Sequence, residues 1–211
     1  MPAVTPARPA RLVRLGIGLG TLLTVGVAGA SGLAAASVAT APLGPRTANP
    51  AFDWLVPRPA PPTWPRLVTP TTGATLSYPP RFTTVTGDPG SVSAAVRTRD
   101  GGFVAYLNAT PAQGAERPHG FAAFRVHLLG EDHDEAVHEE AAAEGLAFLG
   151  GRGSCLIDSY VTRIRHHRYR EIACLVVGSQ AGTVVVAAAL TTRWNRFRPL
   201  LQQAVAAFTV S

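Results

Sequence analysis

Hydrophobic and polar positions divide the chain into three stretches. No charged side chain occurs from residue 15 to residue 38, and the densest apolar run, 15–27, gives way to alanine, glycine and serine. A segment of this length crosses a bilayer as a helix. Arg8, Arg11 and Arg14 precede it and only the distant Arg46 follows, a bias that keeps residues 1–14 in the cytoplasm and carries the rest outward. Two readings of residues 15–39 stay open: a transmembrane anchor, or a signal peptide cleaved near Ala28-Gly29-Ala30 or Ser37-Val38-Ala39. Residues 40–66 form a proline-rich linker with no hydrophobic period, expected to be extended. Phe52, Trp54 and Trp64 are out of place on an exposed tether, so Trp64 is expected to pack on the domain that follows.

From residue 67 to 211 the pattern is that of a folded domain. Short alternating or apolar runs at 75–78, 82–85, 92–97 and 103–108 are separated by Pro79-Pro80, Asp88-Pro89-Gly90 and Asp100-Gly101-Gly102, which predicts an antiparallel meander. Residues 118–129 fit a helix or a strand. Residues 131–149 read as a helix, with acids in the first turns, alanines in the middle and Gly150-Gly151 as a stop. The runs at 155–162, 169–177 and 183–190 are the most apolar and are expected to lie centrally in the sheet. Trp194, Phe197, Leu201, Ala204, Val205 and Phe208 recur at helical spacing, which predicts a C-terminal helix covering one sheet face. The predicted class is α+β, an antiparallel sheet flanked by helices, behind an N-terminal apolar helix and a proline-rich linker.

Charge alters this picture less than its total suggests. The formal charge is +6, and all 19 basic residues are arginine. Four arginines and no acid fall in the first 50 residues, leaving 15 arginines against 13 acids, or +2, for the rest. A nearly balanced domain outside a membrane argues against nucleic acid as a partner.

The two cysteines carry more information. Cys155 and Cys174 lie in adjacent apolar strands of a chain bound for an oxidising compartment, and a disulfide is expected. Direct pairing sets Ile157 opposite Ile172 and Tyr160 opposite Tyr169, like against like. The same register sets Asp158 against Glu171, where Arg163, Arg168 or Arg170 would have to neutralise the pair, or the register is shifted.

Three groups of side chains offer chemistry. Asp158 with Glu171 could divide acid and base roles, although strand acids balanced by arginines are common. His127, His133 and His138 stand among Asp132, Asp134, Glu135, Glu139 and Glu140; on a helix Asp134 and His138 would share a face, but no established ligand motif occurs and no metal is assigned. Arg163, Arg165, His166, His167, Arg168 and Arg170 cluster at the tip of the predicted hairpin and form the candidate anion-binding site. Nucleophile-elbow and phosphate-loop motifs are lacking, and Gly150-Gly151-Arg152-Gly153 reads as a turn between helix and strand. Asn108-Ala109-Thr110 matches a glycosylation sequon in form only.

The stretch from Trp64 to Pro79, with Gly73 and then Tyr78-Pro79 closing a first strand, resembles the opening of domains with the PsbP-like fold. Asn108-Ala109-Thr110-Pro111, Gly153-Ser154-Cys155-Leu156-Ile157-Asp158 and Tyr169-Arg170-Glu171-Ile172-Ala173-Cys174 resemble segments of uncharacterised exported actinobacterial proteins. The resemblance covers about residues 64–211. It implies an antiparallel sheet flanked by helices and a mostly non-catalytic, protein-interacting role, and it carries over no catalytic residue and no cofactor. Some such exported proteins are lipoproteins, and this chain departs from them in having no N-terminal cysteine. The resulting expectation is a non-enzymatic extracytoplasmic binding or scaffolding module of the cell envelope, membrane-anchored or secreted. Its expected partner is an envelope protein or an anionic envelope polymer. A sensor-like domain for a small ligand and a hydrolase with an unrecognised site are the alternatives.

Overall fold

The computed structural model describes residues 49–211. The basic segment 1–14, the apolar span 15–39 and residues 40–48 of the linker lie outside the described residues. Among the described residues no helix is long and apolar enough to cross a membrane.

Seven strands form one antiparallel sheet. They are β3 (Thr83–Val85), β4 (Val92–Arg97), β5 (Phe103–Pro111), β6 (Glu135–Phe148), β7 (Gly151–Val161), β8 (Arg168–Val177) and β9 (Gly182–Leu190), in the order β3-β4-β5-β9-β8-β7-β6. The chain meanders through β3, β4 and β5 and crosses to the far edge by way of helix α1 (Phe121–Glu131). It then meanders back through β6, β7 and β8, so that β9 closes against β5. The apolar C-terminal strands are central as expected: β9 holds the middle, β8 lies beside it and β7 is one place in from the edge. A separate ribbon pairs β1 (Arg66–Val68) with β2 (Thr75–Ser77).

Helix α2 (Trp194–Ala206) buries Trp194, Phe197, Leu201, Ala204 and Val205 on one sheet face, against Ala187, Ile172 and Cys174. This is the predicted C-terminal helix. Helix α1 covers part of the other face, with Phe121 buried against Leu156, Ala173 and Leu175. Apolar residues lie all round α1, which is why its periodicity could not separate helix from strand. The proline-rich stretch from Asn49 onward packs on the domain, with a 3-10 turn over Pro50–Phe52 and both Phe52 and Trp64 buried in the main core.

The helix expected over 131–149 is not there. Helix α1 ends at Glu131, and Glu135–Phe148 is a 14-residue edge strand paired with β7. Helix propensity is a weak local preference, and the otherwise unpaired backbone groups along β7 outweigh it by supplying a ladder. The register shifts between Glu135 and His138, between Glu139 and Ala141, and between Ala143 and Leu146. Such bulges, together with outward-facing glutamates, discourage pairing with another chain at an exposed edge. Gly150 does not stop a helix but turns β6 into β7. Its φ is +82°, and a Cβ there would lie 2.0 Å from the carbonyl oxygen of Val210.

Candidate functional site

Strands β7 and β8 pair in the register that the cysteines predict. Cys155 faces Cys174, joined by a disulfide, and Ile157 faces Ile172, Asp158 faces Glu171 and Tyr160 faces Tyr169. Alternation sends Cys155, Ile157, Ile172 and Cys174 to the α2 face and Asp158, Tyr160, Tyr169 and Glu171 to the α1 face. Two carboxylates therefore meet under α1, and both residues are fully buried.

None of the arginines expected to neutralise them does so. Arg125 of α1 takes that role: its Nε donates to Glu171 Oε1 at 2.9 Å and its Nη2 lies 2.8 Å from the same oxygen. The Tyr160 hydroxyl donates to Glu171 Oε2 at 3.2 Å. Burial works against the Arg125 charge, and the Glu171 carboxylate more than offsets it, so its pKa is raised. Burial and then Glu171 drive the Tyr160 phenol well above its ordinary value. Asp158 is left over. Neither of its oxygens has a hydrogen-bond partner among the described residues. Burial first, and the Glu171 carboxylate second, raise its pKa to about 9, so it is held as the neutral acid. A neutral acid beside a paired carboxylate is the electrostatic arrangement of an acid and base pair. Here α1 and the sheet close over both groups, and a reacting atom could reach them only if α1 moved.

Sequence reasoning missed Arg125 because its segment was undecided between helix and strand. It also missed a polar row on the same sheet face beyond α1. Ser93 Oγ donates to Asn108 Oδ1 at 2.9 Å and lies 3.2 Å from the Tyr106 hydroxyl, and Asn108 Nδ2 donates to Thr110 Oγ1 at 2.7 Å. Tyr106, Asn108 and Thr110 are half-buried, and burial raises the Tyr106 pKa. The alternation of polar and apolar residues along 105–110 was the available signal. The sequon lies within this network on a strand paired at both edges, with the Asn108 amide already engaged.

The basic residues do not form one patch. Arg163, Arg165, His166 and Arg168 are exposed at the β7–β8 tip with His167 half-buried beside them, but Arg170 belongs elsewhere. It points to the α2 face, where its guanidinium pairs with Glu140 and lies 5.1 Å from the centre of the Trp194 ring. The tip bends sharply: Arg165 and His166 have φ of 71° and 50°, a backbone region unusual for residues with a Cβ. Arg165 Nη1 reaches Asp100 Oδ2 in the β4–β5 loop at 3.4 Å, tying the two loops together.

The histidines and acids of 127–140 are dispersed. His127 Nε2 lies 3.2 Å from Glu131 Oε1 on α1, Asp134 Oδ1 accepts from the Arg163 backbone N–H, and His138 sits opposite Ser159. The shared helical face of Asp134 and His138 is lost because β6 is a strand. Among the described residues no three His, Cys, Asp or Glu side chains are grouped as a metal would need. A shallow depression beside the start of α1 is lined by Ala122, Ala142, Glu144, Ser154 and Cys155. Glu144 closes it by accepting from the Gly120 N–H at 2.9 Å, a bond that holds its carboxyl below its ordinary pKa.

No family model and no curated protein sequence matches the chain. Solved structures do. Cyanobacterial PsbP (CyanoP) from Synechocystis sp. PCC 6803 matches with a TM-score of 0.50 at 14% identity, over 70% of this chain and 92% of that one. PA94 from Pseudomonas aeruginosa, a protein of unknown function, matches with a TM-score of 0.44 at 10% identity, over 68% and 94%. LpqN of Mycobacterium tuberculosis, involved in cell envelope biogenesis, matches with a TM-score of 0.39 at 14% identity, over 71% and 91%. The CyanoP match places the architecture among PsbP-like folds, as the sequence resemblance implies.

Proposed function

We propose that this PsbP-like domain is a non-enzymatic binding module of the cell envelope, held outside the membrane by the N-terminal segment or released from it. Its exposed basic end receives an anionic partner, either an acidic patch on an envelope protein or an anionic envelope polymer. One contrast carries the reading. The acid pair with catalytic electrostatics is sealed beneath α1, whereas the arginines at the β7–β8 tip are open to solvent. The uncharged run 15–38, the arginines before it and the disulfide support the extracytoplasmic placement.

Crosslinking and recovery of the full chain from its native envelope tests this function. A partner is expected with the native chain and is expected to be lost from a variant with Arg163, Arg165 and Arg168 changed to Ala. Recovery unaffected by that change would remove the basic end from the reading. Alkaline phosphatase joined after residue 60 tests the placement, and an inactive fusion would overturn it. A second reading, a sensor-like domain for a small ligand, draws on the half-buried row Tyr106, Asn108 and Thr110. Chemical-shift changes confined to that row on titration with envelope extracts would favour it.

A further inference from the structure

We infer that the end of the domain built by the β4–β5 and β7–β8 loops docks on an anionic lipid surface, with Ile164 entering the headgroup region. This rests on the proposed reading of the basic end as anion-binding and takes anionic lipid, in place of a protein patch or a polymer, as the anion. The observation behind it is a juxtaposition that the sequence separates by some 65 positions. Arg165 Nη1 lies 3.4 Å from Asp100 Oδ2, the Tyr169 hydroxyl donates to the Phe103 carbonyl at 2.7 Å, and Arg165 and His167 both lie against Gly102. The two loops are thereby held side by side. Arg97 and Arg99 join Arg163, Arg165 and Arg168, and all five are exposed. Asp100 is the acid within these loops, and its partner is Arg165. Asp134, at the start of β6, borders the end on the other side and accepts from the Arg163 backbone N–H. Both of these acids are engaged with the β7–β8 tip, and five arginines against the two leave this end basic.

Charge alone would suit a soluble polyanion as well as a membrane. Ile164 distinguishes them. It sits at the apex between Arg163 and Arg165, is 61% exposed, and has its carbonyl fixed by the Thr162 hydroxyl at 2.9 Å. A large aliphatic side chain presented between arginines gains nothing from a hydrated phosphate polymer but gains burial at a lipid interface, where the arginines meet the headgroups. The left-handed φ values at Arg165 and His166 follow directly after it and keep the apex narrow.

Hydrogen exchange of the full chain read by mass spectrometry tests this, because the readout is local even if the N-terminal segment inserts into vesicles. Vesicles of phosphatidylglycerol with phosphatidylcholine should protect peptides covering 97–104 and 159–168, whereas phosphatidylcholine alone should not. Changing Arg97, Arg99 and Arg168 to Ala should raise the anionic lipid needed for half-protection about a hundredfold at low salt. Ile164→Asp should abolish the protection at 159–168. Unchanged slow exchange in β8 and β9 will show that each variant is folded. Protection unaffected by Ile164→Asp, or produced by a glycerol-phosphate polymer and not by vesicles, would overturn the membrane assignment and leave the anion-binding reading standing. Protection by neither would overturn the membrane assignment, and the crosslinking experiment would then judge the broader reading separately.

Discussion

The β7–β8 hairpin carries charge in two places that differ as solvents. In its body, Asp158 and Glu171 face each other with no exposed surface, a single arginine from another element pairs with Glu171, and Asp158 is held neutral. At its tip, where Arg163 stands five positions after Asp158 and Arg168 three before Glu171, three arginines stand in water. Interaction energies between charges scale inversely with the local dielectric, so the same residue types govern stability in the body and contribute almost nothing to it at the tip. The body constrains the fold and leaves little for a partner to touch; the tip is free to be used because the fold does not depend on it.

The comparison is broken most directly at Arg125. Arg125→Ala leaves Glu171 buried without its cation and should cost about 3–5 kcal/mol in urea unfolding, whereas combining Arg125→Met with Glu171→Gln should restore most of that. A loss below 1 kcal/mol, as is ordinary for surface pairs, would mean that the body is not a low-dielectric site.

The disulfide, which braces the same strands from the opposite face, comes next. It closes a loop of 19 positions, and loop entropy gives such a bond about 3 kcal/mol. Cys155→Ser, Cys174→Ser and the double variant should lower the melting temperature by similar amounts, since one bond is lost in each. Free thiols in the folded protein, seen by mass spectrometry without reduction, would remove the basis of this prediction.

Asp158 sharpens the comparison through pH. Its carboxyl titrates near 4 in the unfolded chain and near 9 in the fold, so unfolding between those values releases a proton and stability falls as pH rises through the window. Asp158→Asn removes that proton, keeps the volume and should flatten the decline, so it should raise the melting temperature more at pH 8 than at pH 4. An equal shift at both would place an ionised carboxylate in the native body.

The smallest effect belongs to the tip. Changing Arg163, Arg165 and Arg168 together to Ala should alter stability by no more than about 0.5 kcal/mol. A larger loss would show that the contact with Asp100 supports the fold and that body and tip are less distinct than their exposures imply.

Wherever one element repeats a pattern along itself, the sequence was sufficient. Alternation in β7 and β8, with one cysteine in each, offered the observed register, with Asp158 opposite Glu171, against a shifted one, and the spacing from Trp194 to Phe208 predicted α2 and its buried face. Tertiary structure decided what depends on a distant partner. Residues 135–148 carry a helical composition, yet the open edge of β7 made them a strand. Residues 121–131 carry no clear period, yet the need to cover Leu156, Ala173 and Leu175 made them a helix. That helix delivers Arg125 to Glu171 across 46 positions, and the tip reaches Asp100 across 65. Hydrophobic period and capping are local and are written in consecutive residues, whereas backbone pairing at a sheet edge and the neutralisation of a buried charge are satisfied by whichever group the fold brings near. Only the assembled sheet determines which group that is.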